Sequence, residues 1–195
     1  MLFRSNVHLT FFVYSGMSGW RENQRRMQPF IDSGKIQIAN HTHNHPDLRH
    51  LNAKQIRREL LDCHHFLEDT YGVDARPYFR PPYGAYNARV REVAAELGYT
   101  KLMMWSGTLA DSGHISLARE MYFGRRYMRD GSVLLGHANN MNADKLFERL
   151  HAVVASRGLE MVTLADAMGP TFNPQPTPSE TPIIVSPSVS PSSPI

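Results

Sequence analysis

Short apolar stretches alternate with helix-patterned stretches along most of this 195-residue chain. That alternation narrows the choice of fold more than any other feature. Leu9-Thr10-Phe11-Phe12-Val13 is a continuous apolar, β-prone run bounded by Ser15-Gly16, and reads as a buried strand. Ile36 to Ile38 is a second, short one, entered through Gly34. Asn52 can cap a helix in which Ile56, Leu60, Cys63 and Leu67 recur at helical spacing before Gly72. Asn87 can cap another, with Val90, Val93, Ala94 and Leu97 facing inward and Gly98 as its stop. Thr100 to Trp105 reads as a strand, as does Ser132-Val133-Leu134-Leu135 after the turn at Asp130-Gly131. Leu146, Leu150, Val153 and Val154 mark a last helix stopped by Gly158, and Met161 to Leu164 a last strand. Strands alternating with helices predict an α/β fold with a parallel sheet or barrel. In either, sites lie at the C-terminal ends of strands.

Four groups of polar residues stand at such ends. Asn40-His41-Thr42-His43-Asn44-His45-Pro46 follows the strand at Ile36. His41 and His45 are four apart, a spacing that lets two imidazoles reach one metal, although it is also common among solvated loop histidines. Pro46 disfavours a helix through the segment, so it belongs to a loop. Arg80-Pro81-Pro82-Tyr83-Gly84 places an arginine before a rigid turn, which suits orienting a carboxylate. Trp105-Ser106-Gly107-Thr108-Leu109-Ala110-Asp111-Ser112 leaves a strand with a carboxylate that can orient a histidine. Leu135-Gly136-His137 ends an apolar strand on a histidine.

Taken in order, these groups resemble the polysaccharide deacetylase family, the chitin, chito-oligosaccharide and peptidoglycan deacetylases with a NodB-like domain. The similarity runs from about Val7 to Ala167. It implies a distorted (β/α) barrel and a divalent metal, zinc or else cobalt, held by His41, His45 and an aspartate. It implies that Arg80 orients a catalytic base and that the backbone N–H of Tyr83 stabilises an oxyanion. His137 would be the general acid, paired with Asp111. Leu135 would line the pocket for the acetyl methyl, and Trp105 would contact the sugar. The partner implied is an N-acetylated polysaccharide or oligosaccharide.

The family's Thr-Phe-Asp-Asp-Gly motif, source of the base and the metal carboxylate, has no counterpart in the sequence. Leu2 to His8 look like the end of the helix that follows that motif, so the first strand of the barrel is expected to be missing. Asp32 falls before its strand and is a poor replacement, while Asp47 lies nearer His45 and is a candidate one. An inactive carbohydrate- or metal-binding derivative is therefore the alternative to an enzyme. Ser112 stands where the family often has a tryptophan, and Thr108 where it has an acidic residue, changes that bear on the sugar subsites.

Composition adds exclusions. The net charge of +3 comes without any Lys/Arg run, so nucleic-acid binding is not expected. No stretch is long and apolar enough to span a bilayer. The single cysteine, Cys63, permits no internal disulfide and reads as a small buried hydrophobe. Residues 1–168 form the expected deacetylase domain. From 169 to 195 the chain turns to Pro, Ser and Thr, a composition expected to give a disordered tail and found in wall-spanning stalks. With the resemblance, that tail points to a secreted or cell-wall protein, although the first residues carry no export signal of their own.

Overall fold

A computed structural model describes residues 7–139 and 142–169. In chain order the elements are β1 (Leu9–Val13), α1 (Ser18–Glu22), α2 (Gln24–Asp32), β2 (Ile36–Asn40), α3 (Ala53–Tyr71), β3 (Tyr78–Phe79), α4 (Ala88–Glu96) and β4 (Lys101–Leu102). They continue with β5 (Gly107–Thr108), α5 (Leu117–Tyr127), β6 (Leu134–Leu135), α6 (Ala143–Ser156) and α7 (Leu164–Met168). All strand pairs are parallel. They form one sheet in the order β1-β2-β3-β4 and a second, β5-β6. The expected α/β fold with a parallel sheet is thus present.

Every residue of β2 is buried, as a parallel strand covered on both faces must be. On one face Val13, Ile36 and Ile38 pack with Ile56, Leu60, Cys63 and Leu67 of α3 and with Val90 and Val93 of α4. Both helices start as their sequences predict. Asn52 closes a capping box with Gln55, and the Asn87 side chain accepts from Val90 N–H. Gly72 ends α3 in the left-handed conformation. On the other face Ala39 and Tyr78 meet Met103 and Leu164. A separate core joins α5 and α6 to the second sheet through Leu109, Met121, Met128, Leu146 and Leu150. Gly124 makes that packing possible, because a side chain there would collide with Leu150.

Three expectations need correction. Met161 to Leu164 is not a strand. Thr163 instead closes a capping box with Asp166 and starts α7, whose first free N–H groups dock on Thr10 Oγ1 and Gln37 Oε1, each at 2.9 Å. The cap satisfies backbone donors that an isolated fourth-edge strand would leave open. Between Thr100 and Trp105 only Lys101 and Leu102 pair with a neighbour, and between Ser132 and Leu135 only Leu134 and Leu135 do. Helices α1, α2 and α5 were not evident from periodicity. The readings of Leu2 to Asn6 as a helix end and of Pro170 to Ile195 as a tail lie outside the described residues.

Candidate functional site

The C-terminal ends of β2, β3, β5 and β6 open into a single cleft of about 1160 Å³. Its walls include all eight residues that the sequence singles out: His41, His45, Arg80, Tyr83, Trp105, Asp111, Leu135 and His137. They come from four separate stretches of chain, so only the parallel topology brings them together.

The histidine loop is held from several sides. Thr42 and His45 adopt left-handed backbone angles, φ 72° and 58°, which cost non-glycine residues free energy and need support. Asn40 Oδ1 accepts from Thr42 N–H at 2.9 Å, and Thr42 Oγ1 accepts from His45 N–H at 3.1 Å. The Glu59 carboxylate accepts from the backbone N–H groups of His43 and Asn44 at 3.1 and 2.8 Å. Ser15 meets His43 Nδ1 at 2.8 Å, which ties the loop to the end of β1.

His41 lies 2.6 Å from the carbonyl oxygen of Arg80 through Nδ1, so that nitrogen carries the proton and Nε2 carries the lone pair. The rings of His41 and His45 stand 4.8 Å apart, nearly perpendicular. Burial, and then the Arg80 charge, push the His41 pKa down to about 3. The same two causes lower that of His45. Both imidazoles are therefore neutral near pH 7, as metal ligands must be. They fit as two nitrogen donors for a divalent cation. Among the described residues, no group of three or more His, Cys, Asp or Glu side chains is close enough together to hold one, so the donor set is incomplete.

Asp47 does not complete it. Its carboxylate caps the turn at Leu48–His50 and is bound to Arg49 Nη2 at 2.6 Å. Asp32 accepts from Gln28 at the end of α2, and neither aspartate lines the cleft.

Arg80 is a half-buried cation without an ion pair among the described residues. Its guanidinium lies over the Phe12 ring at 4.7 Å, and Nη2 is 3.5 Å from His41 Nε2. Burial lowers its pKa to about 10, which leaves it charged at neutral pH. Tyr83 follows, at φ 59°, with its ring 70% exposed and edge-on to His45 at 4.7 Å. Gly84 lets Trp105 pack against this turn, since a Cβ there would stand 2.7 Å from the indole.

The opposite wall is built differently. Thr108 pairs with Leu135 across β5 and β6, and Leu109 N–H donates to Leu135 O at 2.9 Å. Ala110, at φ 58°, then turns the chain so that Asp111 faces His137. Asp111 is 4% exposed. Its Oδ1 accepts from His137 Nδ1 at 2.8 Å, and its Oδ2 accepts from His137 backbone N–H at 2.6 Å. Two bonds from one carboxylate fix both the ring and the backbone of the histidine, leaving Nε2 as the remaining ring nitrogen.

Sequence reasoning missed Glu120, a fully buried carboxyl on α5. Burial, with a contribution from Asp111, raises its pKa. No spacing marks it, because α5 itself was not foreseen. Cys63 is buried as expected, and burial pushes its thiol up to about 11, which makes it unreactive.

Residues 1–102 match the family described as Polysaccharide deacetylase. An uncharacterised protein of Streptomyces coelicolor is 30% identical over 142 residues, 71% of this chain and 53% of that protein. Chitin deacetylase 1 of Cryptococcus neoformans is 38% identical over 103 residues, 53% of this chain and 21% of the relative. The chain thus spans about half the length, or less, of these curated relatives. Among solved structures, a CE4 family pseudoenzyme from Bacillus anthracis superposes with a TM-score of 0.73 at 20% identity, over 88% of this chain and 59% of that one, a likeness of fold.

Proposed function

This chain belongs to the polysaccharide deacetylase family, and from that premise we propose that its cleft removes acetyl groups from an N-acetylated polysaccharide of the chitin, chito-oligosaccharide or peptidoglycan class. The observation that carries the reading is the meeting, in one cleft, of two neutral histidines and of His137 paired with a buried Asp111.

His41 and His45 would hold a divalent metal, zinc or cobalt. When bound, the metal supplies Lewis-acid polarisation of the acetyl carbonyl and a more acidic water. The chain's own residues would supply charge stabilisation, substrate contacts and the proton for the leaving group, while the base that takes the proton of the attacking water is not among them. Arg80 keeps a positive charge beside His41, where negative charge gathers on the attacked carbonyl. The backbone N–H of Tyr83 lies in the same wall and would share that charge. Leu135 offers an apolar surface for the acetyl methyl, and Tyr83 and Trp105 offer rings on which a sugar face can rest. His137, with Nδ1 bound to Asp111, would deliver a proton from Nε2 to the leaving amine as the C–N bond breaks. Acetate and a free amino sugar are the products. The domain of residues 1–168 would carry this activity, and the relatives that act on cell-wall polymers support a secreted or wall-associated site of action. No helix of the described residues is long and apolar enough to cross a membrane.

One observation favours a second reading. The described residues offer two candidate metal ligands and a half-buried Arg80 without a carboxylate partner, the arrangement expected of an inactive derivative that still binds sugar. Acetate release from an N-acetylated chito-oligosaccharide, with added zinc or cobalt, separates the two. The enzyme reading predicts release that His41→Ala and His137→Ala both abolish. Binding of the oligosaccharide without any release, by a folded chain, selects the derivative.

A further inference from the structure

Behind the histidine loop runs a line of buried hydrogen bonds that the proposed chemistry does not use. Asn40, Tyr99 and His64 are 0%, 2% and 7% exposed and come from β2, the segment after α4, and α3. Asn40 Nδ2 donates to Leu60 O and to the Tyr99 hydroxyl, each at 2.9 Å, so both of its amide hydrogens are used. The Tyr99 oxygen accepts one of them and has its own proton to place. His64 Nδ1 lies 2.9 Å away and is the acceptor for it. His64 then carries its ring proton on Nε2, which faces Glu68 at 3.4 Å.

This line decides which way the Asn40 amide points. With Nδ2 committed to Tyr99 and Leu60, Oδ1 is turned toward Thr42 N–H at 2.9 Å. That bond supports the left-handed Thr42, whose hydroxyl holds His45 N–H. The Asn40 backbone carbonyl accepts from Arg80 N–H at 3.1 Å, and the Arg80 carbonyl in turn faces His41 Nδ1. A single residue is thereby linked to both candidate metal ligands, to His45 through its side chain and to His41 through its backbone carbonyl.

We propose that Tyr99 and His64 are positioning residues, which fix the amide of Asn40 and through it the Thr42–His45 turn that sets His45 beside His41. Their bearing on metal rests on the reading that these two histidines hold one. Their bearing on the loop does not. Without the Tyr99 hydroxyl, the amide can rotate and present hydrogens instead of an oxygen to Thr42 N–H.

The test compares Tyr99→Phe with Tyr71→Phe in the full chain. Tyr71 also buries a hydroxyl, bonded to Trp20 O away from the cleft, and so controls for a general loss of stability. Amide exchange at Thr42 is measured without metal, and cobalt affinity is measured separately. We expect Tyr99→Phe and His64→Leu to speed Thr42 exchange several-fold and to weaken cobalt binding by about tenfold. Tyr71→Phe should leave both unchanged, and His64→Gln, which keeps an acceptor, should largely restore them. Equal exchange at Thr42 in the two tyrosine variants would overturn the proposal. Failure of the unaltered chain to bind cobalt would instead overturn the metal reading, with Thr42 exchange still deciding the role of Tyr99.

Discussion

The two walls of the cleft solve the same problem in opposite ways. On the β5–β6 side a carboxylate and an imidazole face each other, and each satisfies the other: Asp111 is buried but accepts two bonds from His137. On the β2–β3 side, two neutral imidazoles and one guanidinium gather, and among the described cleft-lining residues the only carboxylate is Asp111 of the other wall. The first wall is complete within the described chain. The second carries lone pairs at the histidines and a positive charge at Arg80; under the proposed function a cation would sit on the former and an anion beside the latter. Burial costs least where charges are paired, and the two walls differ in how far their own residues supply the partner.

That contrast can be broken by substitution. The largest effect is expected from Asp111→Asn. It replaces an acceptor of two bonds by an amide that serves only one well, and should lower acetate release by about 10²–10⁴-fold, the range of general acid–base contributions. Cobalt affinity should not change, because the other wall is untouched. Kinetics and a metal titration on the same sample check both halves of that statement.

His45→Ala is the converse. It should weaken cobalt binding by roughly a hundredfold or more, beyond the cost of losing an outer partner, while leaving the Asp111–His137 hydrogen bond in place. The imidazole N–H signal of His137 by NMR reports that bond directly.

Gly124→Ala acts on neither wall but on the packing of α5 against α6 behind the β5–β6 wall. The added methyl meets Leu150 and should destabilise the fold by about 1–3 kcal/mol, the usual cost of overpacking. Denaturant unfolding measures it. Metal binding at the β2–β3 wall should survive under native conditions.

A last effect is a dependence of stability on pH in the metal-free protein. Burial, and then the Arg80 charge, hold the His41 pKa at about 3 in the folded chain, below the 6.5 of an exposed imidazole. Between those values the unfolded chain binds more protons than the folded one. Stability from this group is therefore full above about pH 6.5 and is lost as the pH falls toward 3. His41→Gln should flatten that slope, and urea unfolding between pH 4 and 7 tests it.

The contrast between the walls was itself only partly legible in the sequence. The loop after β2 and the histidine after β6 could be read because strand ends are punctuated by Gly, Pro and Asn and because the histidines stand four apart. Helices α3 and α4 announced themselves through Asn caps and glycine stops. Strand Leu9–Val13 emerged with the expected bounds. Where the reading failed, tertiary context had overruled a local pattern. Met161 to Leu164 is apolar enough for a strand, but the Thr163–Asp166 box and the docking on Thr10 and Gln37 favour a helix start. Helix α5 was hidden because Gly124 interrupts its pattern at the point where α6 needs close approach. Glu120 and Tyr99 gave no signal, since their significance depends on groups far away in sequence. Asn40, adjacent to His41, could have been suspected.

The most direct test is a cobalt(II) titration followed by visible absorption, on the unaltered chain, His41→Ala, His45→Ala and His137→Ala. The account predicts one cobalt ion bound by the unaltered chain and by His137→Ala with the same affinity, and binding lost from both other variants. Cobalt bound equally well by His41→Ala and His45→Ala, or lost on His137→Ala alone, would contradict a cleft whose metal-receiving wall and proton-delivering wall are separate.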